Sequence, residues 1–365
     1  VGAGHNQAAR AIDEGLCAAG GVSVERWDSL DFVPWFFRLY YAGGFNFLMS
    51  RAGWLYGLGY RMFDRPFGPR RSIAEKMRLT WERLCSRALQ RRLVEAQPDL
   101  IINTHFLAAP IVGRLIQRGA LKCPQMVVIT DLHPHRWWYA QNVQRYFAPV
   151  PEAADVLRRW GAGDEQITIS GIPIMTKWSR TIDTGKALND WRLPADKPIA
   201  LISAGAEFTA GPVVRIAREL LRRCDCTVAV LAGRNKKLLA RLSSLPHGGE
   251  RLFPIAFTDR NHELVAACAL MITKAGGITT AECLATGTPM LLLKPVPGQE
   301  GCNAEYLRRH GAAAVASSAR DAINQAQALL GDRGALERLA QNARSLHRDG
   351  TAAIVAQARA AMGLQ

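Results

Sequence analysis

A chain of 365 residues is long for one domain and fits two of ordinary size. With 48% hydrophobic residues each has material for a core, and a net charge of +15 calls for an acidic partner: nucleic acid, an anionic membrane or a phosphorylated ligand. The eight cysteines include no CxxC and no metal spacing, which argues against a structural zinc site and for free thiols in a reducing compartment.

The chain opens on VGAGHNQAARAI, a glycine turn running into an alanine-rich helix over 6–19. Gly2 and Gly4 fit two positions of a dinucleotide fingerprint and Glu25 stands roughly where its acidic residue would, but Gln7 replaces the third glycine, so a nicotinamide site is poorly supported. His5 lies at the mouth of the turn, where a histidine can serve as a general base; the plainer reading is a cap on the following helix. A strand ordinarily feeds such a turn, so a strand and any targeting segment are expected upstream of Val1. Residues 22–27 read as a strand.

Residues 32–92 break the pattern. Thirteen of the 28 aromatics fall between Phe32 and Phe67, and from Arg61 to Arg92 ten Arg or Lys face three acids. Arg38, Arg51 and Arg61 interrupt every apolar run before 18 residues, which argues against a membrane span. Aromatics beside arginines suit a surface that dips into the interface of an anionic membrane; an aromatic inter-helix core with a solvated basic helix is the alternative. No nucleic-acid motif accompanies the charge, so nucleic acid is not the expected partner.

Apolar runs at 100–103, 126–130 and 167–170 read as strands, and the series resumes at 199–203, 227–232, 252–254, 270–273 and 290–293 with helices between most of them. This alternation predicts an α/β protein with parallel sheets covered on both faces. The segment GIPIMTKWSRTIDTGKALNDW, 171–191, is the expected join between an N-terminal domain over 1–175 and a C-terminal domain over 176–340. A last helical segment, 335–362, has its 341–365 part expected to pack back on the first domain.

Chemistry-bearing residues sit at predicted strand ends, where parallel sheets bind ligands. His105 follows one strand; Asp131, His133, His135, Trp137 and Trp138 follow another in TDLHPHRWWYAQNVQRYFAP. Cleft lining is expected of them rather than a metal site, because an HxH with one Asp on a loop is unspecific. SAGAEFTAGP, 203–212, is a small-residue turn that either approaches a diphosphate or merely turns. The most informative stretch is TKAGGITTAECLATGTPMLLLKPVPGQEGCN, 273–303. Its Gly276–Gly277 pair opens a helix whose N–H groups and dipole suit phosphate, and Glu282 lies one turn beyond Thr279, in reach of a ribose hydroxyl. Gln299, Glu300 and Asn303 are expected on a loop after a strand, suited to sugar hydroxyls or to capping a helix.

Taken together, GAGH, PDLIINTH, the TD segment with its histidines and tryptophans, GIPI, and above all TKAGGITTAECLATGTP with GQEGCN resemble glycosyltransferase family 28, and within it the diacylglycerol glycosyltransferases, over roughly residues 1–315. The resemblance implies a GT-B fold, two Rossmann-like domains facing each other across a cleft. It also implies an inverting transfer of a hexose from a UDP-sugar to diacylglycerol or a related lipid at the cytoplasmic face of a membrane, by a peripheral enzyme with no metal and no cofactor. On that pattern His5 is the catalytic base and Gly4, His105, Asp131, His135 and Trp137 line the acceptor side. Gly205, Ala206, Thr258, Lys274, Gly276, Gly277, Ile278, Thr279, Glu282 and Asn303 belong to the donor side, Thr258 with its backbone at the uracil, while Gln299 and Glu300 meet the hexose. Two positions depart from it: Met175 stands where an arginine helps hold the diphosphate, with Lys177 or Lys274 as substitutes, and Glu207 adds negative charge near the diphosphate. A glucosaminyltransferase acting on an undecaprenyl-linked acceptor and a catalytically weak UDP-sugar or lipid-binding protein are the competing readings.

Overall fold

The computed structural model describes residues 2–43, 73–203, 212–246 and 248–364. The chain forms two compact units: Val1–Thr176 with Val296–Gln299 and Arg348–Gln365, and Lys177–Pro295 with Glu300–His347.

The first unit begins with α1 (Ala3–Ala19), followed by a helical turn at Trp35–Arg38 that runs into a π-helical turn, Leu39–Gly43. Then come α2 (Ile73–Cys85), α3 (Arg87–Ala96), β1 (Ile101–Asn103), α4 (Ala109–Gln117), β2 (Gln125–Val128), β3 (Arg145–Ala148), α5 (Pro151–Arg159) and β4 (Ile167–Ile169). The strands form one parallel sheet in the order β1-β2-β3-β4. Gln125 is fully buried in β2, an expensive place for an amide unless it is satisfied. It accepts from Asn103 Nδ2 at 3.1 Å and donates to the carbonyls of Ala109, Gln141 and Asn142.

The second unit carries α6 (Thr184–Asp190), β5 (Ile199–Ser203), α7 (Val213–Arg223), β6 (Thr227–Gly233), α8 (Lys236–Ser243), β7 (Leu252–Ala256), α9 (Asn261–Ala267) and β8 (Leu270–Thr273). It continues with α10 (Gly277–Thr286), β9 (Met290–Leu292), α11 (Gln299–Arg309, from Glu300 onward), β10 (Ala313–Val315), α12 (Ala319–Gly331) and α13 (Arg333–Leu346). Its six parallel strands run β10-β9-β8-β5-β6-β7. Val213, Ile216, Ala217, Leu220 and Leu221 recur at helical spacing on α7 and bury one stripe against Ile202, Val228 and Val230 of the sheet. Strand order reverses between β5 and β8, which makes their carboxyl ends the crevice where a parallel sheet takes its ligand.

α14 (Gly350–Ala361) belongs to the first unit. Ile354, Val355 and Ala358 pack with Ile12 and Leu16 of α1 and with Met126, Val128 and Phe147 of the sheet. A Cβ at Gly15 would lie 2.8 Å from Val355, so glycine permits this close helix crossing. The single helical segment read over 335–362 is in fact α13 and α14 with a break at 347–349. Asp349 caps α14 by accepting from the Ala352 N–H, and Gly350 runs so close to Gly171 that a Cβ would meet its carbonyl oxygen at 2.8 Å.

Three other expectations are corrected. Residues 22–27 join no ladder; Val22 and Val24 merely face the core of the first unit, and alternation reports one-sided burial rather than strand pairing. β3 and β10 escaped the reading, the first hidden inside the aromatic run at 130–149, the second built of small residues. Gln299, Glu300 and Asn303 stand not on a loop but in the first turns of α11. Residues 44–72 of the aromatic and basic segment, and Gly205, Ala206, Glu207 and Gly211 of the 203–212 turn, lie outside the described residues. Among the described residues no helix is long and apolar enough to cross a membrane.

Candidate functional site

In the first unit the site gathers at the carboxyl ends of β1 and β2. The helix starts earlier than the sequence suggests, so Gly4 and His5 fall within the first turn of α1. His5 Nδ1 lies 2.8 Å from the carbonyl oxygen of Thr104, just past β1, and 3.0 Å from Thr130 Oγ1, just past β2. Thr104 Oγ1 returns a bond to the His5 carbonyl at 3.1 Å. A carbonyl only accepts, so Nδ1 carries the hydrogen and the lone pair of the neutral ring sits on Nε2. Burial lowers the His5 pKa to about 4, against the raising effect of the Thr104 carbonyl, so the ring is neutral across the physiological range.

The neighbouring rings form a continuous set. His105 meets His5 edge-on at 4.5 Å and stacks on Phe106 at 4.0 Å. Phe106 touches His135 at 4.6 Å and Trp137 at 5.6 Å. His105 Nδ1 accepts from the Leu107 N–H, which fixes the opposite tautomer from that of His5, with hydrogen on Nε2. Burial, reinforced by the charge of His5, holds His105 well below its usual pKa. Burial and then Arg78 bring His135 to about 3. Asp131 is buried and accepts from Gln299 Nε2 at 2.8 Å, so Gln299 sits with the first unit's cluster. Structure thus brings together His5, Gly4, His105, Asp131, His135 and Trp137.

Arg78, which the sequence reading passed over, joins them. Its guanidinium lies 4.6 Å from the centroid of Trp137 and bonds both carboxylate oxygens of Glu82, at 2.7 and 2.8 Å. Burial raises the Glu82 pKa while Arg78 opposes the rise. The i,i+4 spacing of the pair was visible, but in a run of ten cations it reads as a solvated helix face. The other face of α2 is apolar and open: Ile73, Met77, Trp81 and Leu84 follow one stripe at spacings of 4, 4 and 3, with Ile73 78% exposed. Exposed Trp35, Phe36, Leu39 and Tyr40 extend it, Phe36 lying 6.1 Å from Trp81.

In the second unit, β8 ends at Thr273 and the chain passes Lys274, Ala275 and Gly276 into α10. Gly276 caps the helix without a side-chain bond, and its first turn holds no acid. The N–H groups of Gly277, Ile278 and Thr279 therefore begin the helix without a side-chain cap from Gly276, while Thr280 folds back onto the carbonyls of Gly276 and Gly277. Asn303 is buried and donates to the Ala275 carbonyl at 3.0 Å, which fixes this loop. Glu282 is buried one turn in; burial lifts its pKa to about 8, opposed only by the charge of Lys177. Lys177 Nζ donates to the carbonyl of Asp259, beside Thr258, whose Oγ1 accepts from the Arg260 N–H. Lys177 thus serves the loop carrying Thr258. A second residue missed from sequence is Phe257, 62% exposed just past β7, with Arg234 stacked 4.4 Å over its ring. An aromatic that ends a strand and fills no core was its only signal.

Comparisons with known proteins point the same way. Residues 5–174 match the family model for monogalactosyldiacylglycerol (MGDG) synthase, and residues 212–345 match the glycosyltransferase family 28 C-terminal domain. A processive diacylglycerol beta-glucosyltransferase of Bacillus subtilis (strain 168) is 33% identical over 254 residues, covering 69% of this chain and 66% of that protein. Its namesake in Bacillus cereus (strain AH187) is 31% identical over 295 residues, covering 80% of this chain and 76% of the other. Among solved structures, the MnaA–UDP complex of S. aureus aligns with a TM-score of 0.58 at 18% identity, over 81% of this chain and 83% of that one. MurG of Acinetobacter baumannii aligns with a TM-score of 0.54 at 15% identity, over 77% and 80%. These likenesses establish the GT-B fold.

Proposed function

This chain belongs to glycosyltransferase family 28, alongside the diacylglycerol glycosyltransferases, and on that premise we propose that it transfers a hexose from a UDP-sugar to diacylglycerol with inversion at the anomeric carbon. The observation that carries the reading is His5, held by the Thr104 carbonyl with its Nε2 lone pair available. Nε2 takes the proton of the acceptor hydroxyl as that oxygen attacks the anomeric carbon. The bond from that carbon to the UDP oxygen breaks, and the charge passes to the diphosphate. The uncapped start of α10 supplies N–H donors for that charge, a role that needs no metal or cofactor. Glu282 takes the ribose, the backbone at Thr258 the uracil, and Gln299 and Glu300 the hexose. The glucosyl names of the relatives favour UDP-glucose as donor.

The stripe on α2 and the aromatics at 35–40 support a peripheral seat on an anionic membrane, where the acceptor lies dissolved. Radiolabelled UDP-glucose and UDP-galactose offered with diacylglycerol, followed by separation of the lipids, test the proposal. A glucosylated diacylglycerol is the expected product. UDP binding without transfer would leave a binding protein, and transfer only to an undecaprenyl-linked acceptor would assign the competing glucosaminyltransferase activity.

A further inference from the structure

α2 has two faces with different chemistry. Outward it shows the apolar stripe of Ile73, Met77, Trp81 and Leu84; inward it carries Arg78 and the buried Glu82. Arg78 lies over Trp137, and Trp137 connects through Phe106 and His105 to His5. His135 meets Trp137, over which Arg78 lies, and Trp138, which His5 meets at 5.9 Å, so one imidazole lies between the two groups. Arg78 therefore stands between the surface suited to acyl chains and the base suited to a hydroxyl.

The guanidinium is not fully used by the protein. Both bonds to Glu82 leave from Nη1, Nε is buried with no acceptor, and 18% of the side chain stays exposed. A pairing meant only to hold the helix would engage Nε and an Nη together in the fork that arginine offers a carboxylate. Here Nη2 takes no part in the pair and keeps two N–H donors. In a diacylglycerol the ester carbonyls lie a few bonds from the free hydroxyl. With a hydrogen bond at each end the molecule spans roughly 10 Å between a base and a donor.

We infer, resting on the lipid-transfer reading above, that Arg78 donates from Nη2 to an ester carbonyl oxygen of the acceptor and so selects ester-linked over ether-linked lipids. The pair with Glu82 and the face of Trp137 hold the guanidinium in place for that contact. An ether-linked lipid lacks the carbonyl, so this bond is not made and its contribution is absent for the diether.

The test compares transfer to diacylglycerol and to dialkylglycerol of equal chain length, in neutral mixed micelles, for three proteins. These are the wild type, Arg78→Lys, and the double variant Arg78→Met with Glu82→Leu, which leaves no orphaned charge. The wild type is expected to favour the diester by about tenfold in kcat/KM, the range of one charged hydrogen bond. The double variant loses that preference through the diester alone, within about twofold of wild type on the diether, and Arg78→Lys falls between. Equal wild-type efficiency on both lipids refutes the inference while leaving the functional reading intact. Equal losses on both in the double variant reduce Arg78 to a structural role, and a defect seen only when anionic lipid is added reassigns it to a headgroup phosphate; either overturns the ester contact. No wild-type transfer to either lipid overturns the functional reading and the inference together.

Discussion

His5→Asn separates the two jobs proposed for the ring, anchoring and proton acceptance. Asparagine's amide nitrogen reaches about as far as Nδ1, so the variant keeps a donor for the Thr104 carbonyl, now 2.8 Å from the ring, while the Nε2 lone pair is gone. The anchoring bond survives, so unfolding stability and UDP affinity are expected within about twofold of wild type. Loss of a positioned general base costs on the order of 10²–10⁴ in kcat. The same ring sets the acid limb of the wild-type profile. With the pKa lowered to about 4 by burial, His5 is neutral, and the base competent, down to that pH. Activity referable to His5 is therefore flat from pH 8 to 5 and falls below about 4, rather than at the 6.5 of an ordinary histidine. The assay is transfer from radiolabelled UDP-glucose to micellar diacylglycerol, with UDP affinity taken by calorimetry on the same preparation. An Asn variant retaining more than about a tenth of wild-type kcat would refute the assignment.

Glu282 yields a prediction about stability and one about binding. Its pKa stands at about 8 in the fold and roughly 4.3 in the unfolded chain, so between those values the folded state holds a proton that the unfolded state has lost. Stability is then full below about 4 and declines as pH rises toward 8, by about 1 kcal/mol per pH unit, relative to Glu282→Gln. Urea unfolding of both proteins at pH 5 to 8 reads the difference, and parallel curves count against it. Calorimetry at pH 7 should also show Glu282→Ala binding UDP about fivefold more weakly, one neutral hydrogen bond's worth, because the carboxyl is protonated there. On the membrane side, Met77→Glu with Trp81→Glu removes two apolar anchors of about 1.5–3 kcal/mol each, so vesicle binding should fall at least tenfold. Wild-type binding should rise with anionic lipid and weaken with salt; indifference to both would dismiss the electrostatic part.

Parallel strands were legible because each buries both faces and so reads as a short apolar run. β5 and β8 could be located to the residue for that reason. β3 was not, because RYFA continues a stretch already crowded with aromatic and histidine residues and carries no boundary of its own. β10, AAV, offers too little side chain to register. The break between α13 and α14 was hidden for another reason. Its cause is the approach of Gly350 to Gly171, a contact that spans the length of the second unit in sequence and leaves only a glycine behind.

The two candidate clusters, one in each unit, differ in the same way. The phosphate seat proposed on α10 is made of backbone, and backbone suited to binding declares itself locally, through the glycines that free the helix start and the acid one turn on. The proposed base is a side chain whose chemistry is decided elsewhere. Which nitrogen of His5 carries the hydrogen depends on a carbonyl 99 residues away, and how weak a base it is depends on its burial among rings from 105 to 138. Sequence could nominate His5 but not its tautomer. Arg78 is the sharper case, because its position in a basic run counted toward a bulk charge, whereas its bonds to Glu82 and its place over Trp137 take it out of that population. A charge run is therefore not one feature. On the proposed reading the cations on the outer faces govern the meeting with an anionic surface, and the one turned inward reads the molecule dissolved in it.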